Sequence, residues 1–346
     1  MAEKANAKIR PLHVRPGARY TCFGDGLCCT DIHGLGPLTK RELTQIRRIN
    51  PKKTSYNDAF EDHMLRTAAD SGCVFLMEDQ RCSVHAKRGA EAKPEGCTRF
   101  PLGLVATPEG GRITTEHRCP CRTLGDRPEL TVEAALPSLL DSAGRPSADD
   151  RVKRVKLDAK HKVSFARYRE IEEPMLHDLA AGKNPKKVLD AKPFPKLHKS
   201  DWVIEALELI DARDGTAFGA ASGWVGDTIL RLVDERRPRP PARPWAAAFD
   251  RAEARSGAPR SAREVFVDWV ADEIWSLGWN DERHFALMRL ELATRLAIAE
   301  DICTRLRHRG LRADRSAAEA VTIVELVGES DFWTEIVDRM RLPGRS

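Results

Sequence analysis

The chain has 346 residues, 41% hydrophobic and 32% charged, with a formal net charge of +5. That balance is too apolar for a disordered chain and too mildly basic to mark a nucleic-acid binder. No apolar run reaches the roughly 18 residues of a spanning helix, which argues against an integral membrane protein, and MAEKANAKIR shows no secretory signal, so a cytoplasmic chain is expected.

Composition divides the chain. Eight of nine cysteines fall between Cys22 and Cys121, and the 225 residues beyond hold only Cys303. All seven tryptophans lie beyond residue 200. The expected fold is a small α+β cysteine-rich module followed by a mainly α-helical body. The expected boundaries are a basic lead-in at 1–20, the module at 21–121, a connection at 122–160 and the helical body at 161–346, interrupted by a Pro-rich linker at 236–244.

In chain order, residues 21–37 are rich in Gly and Cys and read as an ordered loop. Thr39 and Glu42 have capping-box spacing before a helix carrying Leu43, Ile46 and Ile49, which Asn50-Pro51 ends. A second short helix is expected near Asn57–Ala69. Two hairpins follow: Cys73–Met77 with Arg81–His85, and Leu102–Thr107 with Arg112–His117 around Pro108-Glu109-Gly110-Gly111. From residue 161 the pattern is helical. Pro174 either starts a second helix or kinks a continuous one. Ser200, Ser222 and the pairs Ser261/Glu264 and Ser316/Glu319 are candidate N-terminal caps. The longest helix spans about 281–308, with Phe285, Met288, Leu292, Leu296, Ala299, Ile302 and Leu306 as its buried stripe.

The cysteines are spaced Cys22-x5-Cys28-Cys29, Cys73-x8-Cys82-x14-Cys97 and Cys119-x-Cys121. In a reducing compartment such density favours metal over disulfides. Cys73 and Cys82 fall on two arms of a predicted hairpin. Cys119 and Cys121 have the period-two spacing of a strand end. A buried thiolate needs a positive counterpart, which a metal supplies. Zinc is typically held by Cys-x2–4-Cys knuckles, and no Cys-x2-Cys occurs here; adjacent cysteines also crowd one zinc ion. An iron–sulfur cluster is therefore the first expectation and zinc the alternative. Cys303, on an apolar stripe, reads as a small core hydrophobe. His33, His85 and His117 lie near these cysteines and read either as extra ligands or as ordinary histidines. Residues 145–199 hold 15 Lys/Arg against 8 Asp/Glu. Few aromatics interleave with those charges, so a solvated face is expected in preference to a nucleic-acid site.

Tyr20-Thr21-Cys22, Gly26-Leu27-Cys28-Cys29, Leu38-Thr39, Glu42-Leu43, Cys73-Val74-Phe75-Leu76, Arg81-Cys82-Ser83-Val84-His85 and Lys93-Pro94-Glu95-Gly96-Cys97-Thr98-Arg99-Phe100-Pro101 follow in an order that resembles the YkgJ-type cysteine-cluster family, a zinc- or iron-chelating domain with a CxxCxxCC signature. Asp25 stands where the signature's second cysteine is often found, and His85 where an aromatic is common. The resemblance implies metal chelation, with Cys22, Cys28, Cys29, Cys82 and Cys97 as the inner set and Cys73, Cys119 and Cys121 completing it or forming a second site. It implies a cluster of the 4Fe–4S type or zinc, and a protein substrate or redox partner. The same family includes flagellin lysine N-methylases, whose layout is similar and would imply S-adenosylmethionine. The radical-type Cys-x3-Cys-x2-Cys triad and a Gly-rich dinucleotide loop are both absent, and no catalytic residue is identified.

Overall fold

The computed structural model describes residues 9–24, 26–33, 35–57, 61–68, 72–141, 143–194, 199–212, 215–236, 241–281 and 283–341. Asp25, the side chain of Ser200 and residues 237–240 of the Pro-rich segment lie outside them.

The N-terminal region is built on a four-stranded sheet of order β1-β5-β4-β6. Its strands are β1 (Leu12–Val14), β4 (Leu102–Thr107), β5 (Gly110–Thr115) and β6 (Asp150–Arg151). The hairpin expected around Pro108–Gly111 forms: β4 and β5 pair antiparallel from Leu102↔Thr115 to Thr107↔Gly110. β1 lies parallel to β5. One face of the sheet buries Leu104 and Ile113 with Ile9, Leu130 and Leu139. Helix α1 (Lys40–Ile49) starts at Thr39, whose side chain and that of Glu42 make the reciprocal capping box.

The helix expected near Asn57–Ala69 does not form. Strand β2 (Thr54–Asn57) instead pairs antiparallel with β3 (Asp62–Leu65). Strand β3 also satisfies its other edge, because Leu38 N–H donates to the His63 carbonyl and Leu65 N–H to the Leu35 carbonyl, both at 2.8 Å. Two partners for its backbone, with Met64 and Leu65 buried, outweigh local helix propensity. The hairpin expected at 73–85 is reduced to a tight turn closed by the Leu76↔Cys82 bridge, and its second arm becomes helix α2 (Ser83–Arg88). Helix α3 (Glu95–Arg99) carries Cys97.

Cys119 and Cys121 do not sit on a strand end. Pro120, with its fixed φ, opens the short helix α4 (Pro120–Thr123), so Cys119 is the residue before the helix and Cys121 lies within it. A short helix α5 (Val132–Ala135) and the pair β7 (Arg154–Lys156) and β8 (Lys162–Ser164) lead into the helical body.

That body comprises α6 (Phe165–Ala180), α7 (Pro185–Leu189), α8 (Lys199–Asp211), α9 (Ala217–Asp234), α10 (Ala246–Arg255), α11 (Ala262–Ser276), α12 (Phe285–His308), α13 (Ala313–Gly328) and α14 (Asp331–Arg341). α6 is continuous, with Pro174 inside it. Ser261 and Glu264 form the expected capping box, and the whole expected stripe of α12 is buried.

Two expected caps are corrected. Ser222 is buried inside α9, which begins earlier at the Thr216 cap. The small residues of 217–226 let α9 lie against α8, and a Cβ added at Gly226 would come within 2.3 Å of the Ala206 carbonyl oxygen. Ser316 and Glu319 are buried in α13, which starts at Ala313. There Glu319 accepts from Arg243 at 2.6 Å and from the Trp245 indole at 3.0 Å; its carboxylate neutralises buried cations and caps nothing.

The helical core reaches into the cysteine-rich region. Leu27, Ile32, Val105 and Leu124 are buried in the same apolar cluster as Trp224, Trp269 and Leu296. No helix among the described residues is long and apolar enough to cross a membrane.

Candidate metal centre

The cysteines of the module fall around two places. Cys28, Cys29, Cys73, Cys82 and Cys97 line a cavity of about 270 Å³, together with His33, Phe100 and Arg118. Four of them, Cys29, Cys73, Cys82 and Cys97, also pack with the apolar group of Leu35, Leu38, Ile46, Leu65, Phe75 and Val84.

Local structure brings these four together. Cys29 ends a single 3₁₀ turn, Leu27–Cys29, that starts at left-handed Gly26, where a Cβ would meet the Gln80 side chain at 2.7 Å. Cys73 N–H donates to the Cys29 carbonyl at 2.6 Å. The tight turn returns the chain to Cys82, which immediately precedes α2. Pro94 sets the entry to α3, which presents Cys97.

Burial pushes the Cys73 thiol up to about 11, and the neighbouring Cys29 and Cys82 push the same way. Burial likewise lifts Cys97 to about 12, with Cys29, Cys73 and Cys82 adding to it. The thiols are near enough to oppose one another's ionisation. A bound cation would reverse that balance.

The second place surrounds Tyr20. Burial pushes its phenol up, and the charges of Cys119, Cys22, Cys121 and Cys28 push it further. The Phe23 amide donates to the Cys121 sulfur at 3.3 Å. Cys119 and Cys121 are buried, whereas Cys22 is exposed. The nine cysteines form no disulfide among the described residues. Cys303 is buried in α12, in the helical core.

The three histidines have different fates. His85 is exposed on α2. His33 is buried in the cavity wall, its ring centroid 4.3 Å from that of Phe100. Burial pushes its pKa well below the usual range, and neither ring nitrogen has a hydrogen-bond partner. Two orphaned ring nitrogens facing a thiol-lined cavity fit a site built to take a polar or ionic group. His117 stands apart from the cavity, buried 3.5 Å from Asp272.

The sequence gave no signal for what surrounds His117. Arg122, the residue after Cys121, donates to Asp268 at 2.8 Å and to Asp272 at 2.6 Å. Arg15 pairs with the same two carboxylates. Thr115 donates to Asp272 at 2.6 Å, and Arg260 to Asp268 at 3.1 Å. His117, Asp268 and Asp272 bring ligand-type atoms within 4.8 Å of one another. Three guanidiniums already neutralise the two carboxylates, so the set is an ionic lock between the module and α11, and a further cation there would be repelled.

A thiol-lined cavity on a small α+β module, with donors that carry no charge partner of their own, defines a metal-chelating protein. Residues 21–120 match the model of the CxxCxxCC family, described as "Putative zinc- or iron-chelating domain", and this segment is a domain of that cysteine-cluster family. The match covers less than a third of the chain. No curated protein and no solved structure matches the chain.

Proposed function

We propose that the cavity holds an iron–sulfur cluster on Cys29, Cys73, Cys82 and Cys97, and that the protein is a redox or cluster-dependent protein. The observation that carries this reading is the room between the thiols. A single zinc ion draws four sulfurs to about 2.3 Å from one point and leaves no void. Here about 270 Å³ separates the walls, which suits a polynuclear group. When bound, such a cluster supplies one-electron chemistry. The chain's own part is to hold four thiolates on separate segments, to shield them with Phe75 and Val84 on the apolar side, and to place His33 in the wall. The substrate or redox partner would meet the module at the cavity mouth.

The test is metal and acid-labile sulfide analysis of anaerobically purified full-length protein, with its visible spectrum. Iron and sulfide in equal amounts, with a thiolate-to-iron band, is the expected result. Colourless protein loaded with zinc and free of sulfide would overturn the cluster reading and leave a zinc-chelating module.

A further inference from the structure

Adjacent residues on a 3₁₀ turn project about 120° apart. Cys28 and Cys29 are adjacent on such a turn. Cys29 joins the apolar group that holds Cys73, Cys82 and Cys97, and Cys28 does not. Cys28 borders the cavity but also belongs with the thiols around Tyr20. The other members of that set arrive from separate segments. Cys22 is in the loop before the turn. Cys119 and Cys121 lie at the start of α4, whose residues Pro120 to Thr123 are all buried. Both α4 and the 27–29 turn pack against α10, so the helical body brings the two segments to one place. Phe23, next to Cys22, reaches the Cys121 sulfur with its amide, and its ring lies under the Arg127 guanidinium at 4.5 Å. An amide N–H directed at sulfur favours the thiolate, the form that binds metal.

We propose that Cys22, Cys28, Cys119 and Cys121 form a second four-thiolate metal site, at the seam between the module and the helices and distinct from the cavity. Eight cysteines then serve two sites of four, with the adjacent pair Cys28-Cys29 contributing one thiolate to each. The ligand is a thiophilic first-row metal, zinc or iron, alone or in a cluster. The site goes beyond the cavity reading and does not depend on which group the cavity holds.

The experiment is iron, zinc and sulfide analysis with native mass spectrometry on the full chain, purified anaerobically. The wild type, a Cys119→Ser/Cys121→Ser variant and a Cys73→Ser/Cys97→Ser variant are compared. The wild type should carry two loads per chain, and each variant should lose one and keep the other. Sulfide in the Cys73→Ser/Cys97→Ser variant assigns a cluster to the second site; its absence assigns a single metal ion. A wild type with one site's load overturns the proposal, even if a variant fails to fold. So does a Cys119→Ser/Cys121→Ser variant with the full wild-type load. Metal loss confined to the Cys119→Ser/Cys121→Ser variant would overturn the cavity reading while supporting this one.

Discussion

Arg122 places its Nη2 atom 2.8 Å from Oδ1 of Asp268, a residue 146 positions further along the chain, and the arginine side chain is wholly out of solvent. The pair clamps the end of the cysteine module to α11. It also fixes Cys121, one residue earlier, against the helices. Breaking a buried pair leaves an uncompensated charge, at a cost of about 3–5 kcal/mol. Arg122→Ala should therefore lower stability by that order in urea unfolding, and the loss should appear in helical and metal-site signals together. A loss confined to the metal-site signal would mean that the two parts unfold separately.

The same lock sets an acid limit. Burial pushes the Asp272 carboxyl up, but the Arg15 and Arg122 guanidiniums outweigh it and hold it at about 2. An unfolded aspartate titrates near 3.9, so the folded form is the weaker proton binder. The stabilisation is complete above about pH 4 and is lost as pH falls through about 2. Asp272→Asn should be less stable than wild type at pH 6, and the two melting curves should converge as the pH approaches 2. A constant gap across that range would show that the carboxylate charge contributes nothing.

Metal removal should act locally. The apolar group that contains Cys29, Cys73, Cys82 and Cys97 is small and cannot by itself offset the entropy of ordering residues 61–99. The four-stranded sheet and the helices have cores of their own. Stripping the metal anaerobically should open protease sites within 61–99 while 102–115 and 285–328 stay resistant, read by mass spectrometry. Identical digests of loaded and stripped protein would count against a structural role for the metal.

Cys303 should be silent in every metal assay. Burial lifts its thiol to about 11, outweighing the nearby Arg307 charge, so it should resist alkylation at neutral pH in native protein. Cys303→Ala should keep full metal content and cost about 1 kcal/mol. Lower metal content in that variant would place the helical core in contact with a site.

Gly226→Ala tests the contact between α8 and α9. Its new methyl group would collide with the Ala206 carbonyl, a backbone atom that can move only with its helix. Overpacking of this kind costs about 1–3 kcal/mol. A thermal melt should show the loss, and an unchanged melting temperature would mean that the helices are free to part.

The sequence by itself determined what local signals can carry. Thr39/Glu42 and Ser261/Glu264 marked two helix starts because a capping box closes within four residues. Pro108–Gly111 marked the β4–β5 turn, and the period of Phe285 to Leu306 marked the face of α12. The density of cysteines before Cys121 marked a metal-chelating domain. The tertiary structure decided what depends on partners distant in sequence. β3 is a strand because Thr54 and Leu35 lie on either side of it. Ser316 and Glu319 have capping spacing, yet the packing of α13 turns them inward to Arg312 and Trp245. The grouping of the thiols was illegible for the same reason. Spacing records the length of chain between cysteines, whereas the direction of each sulfur is set by a 3₁₀ turn, by Pro120 and by the packing of α4 against α10 and α13.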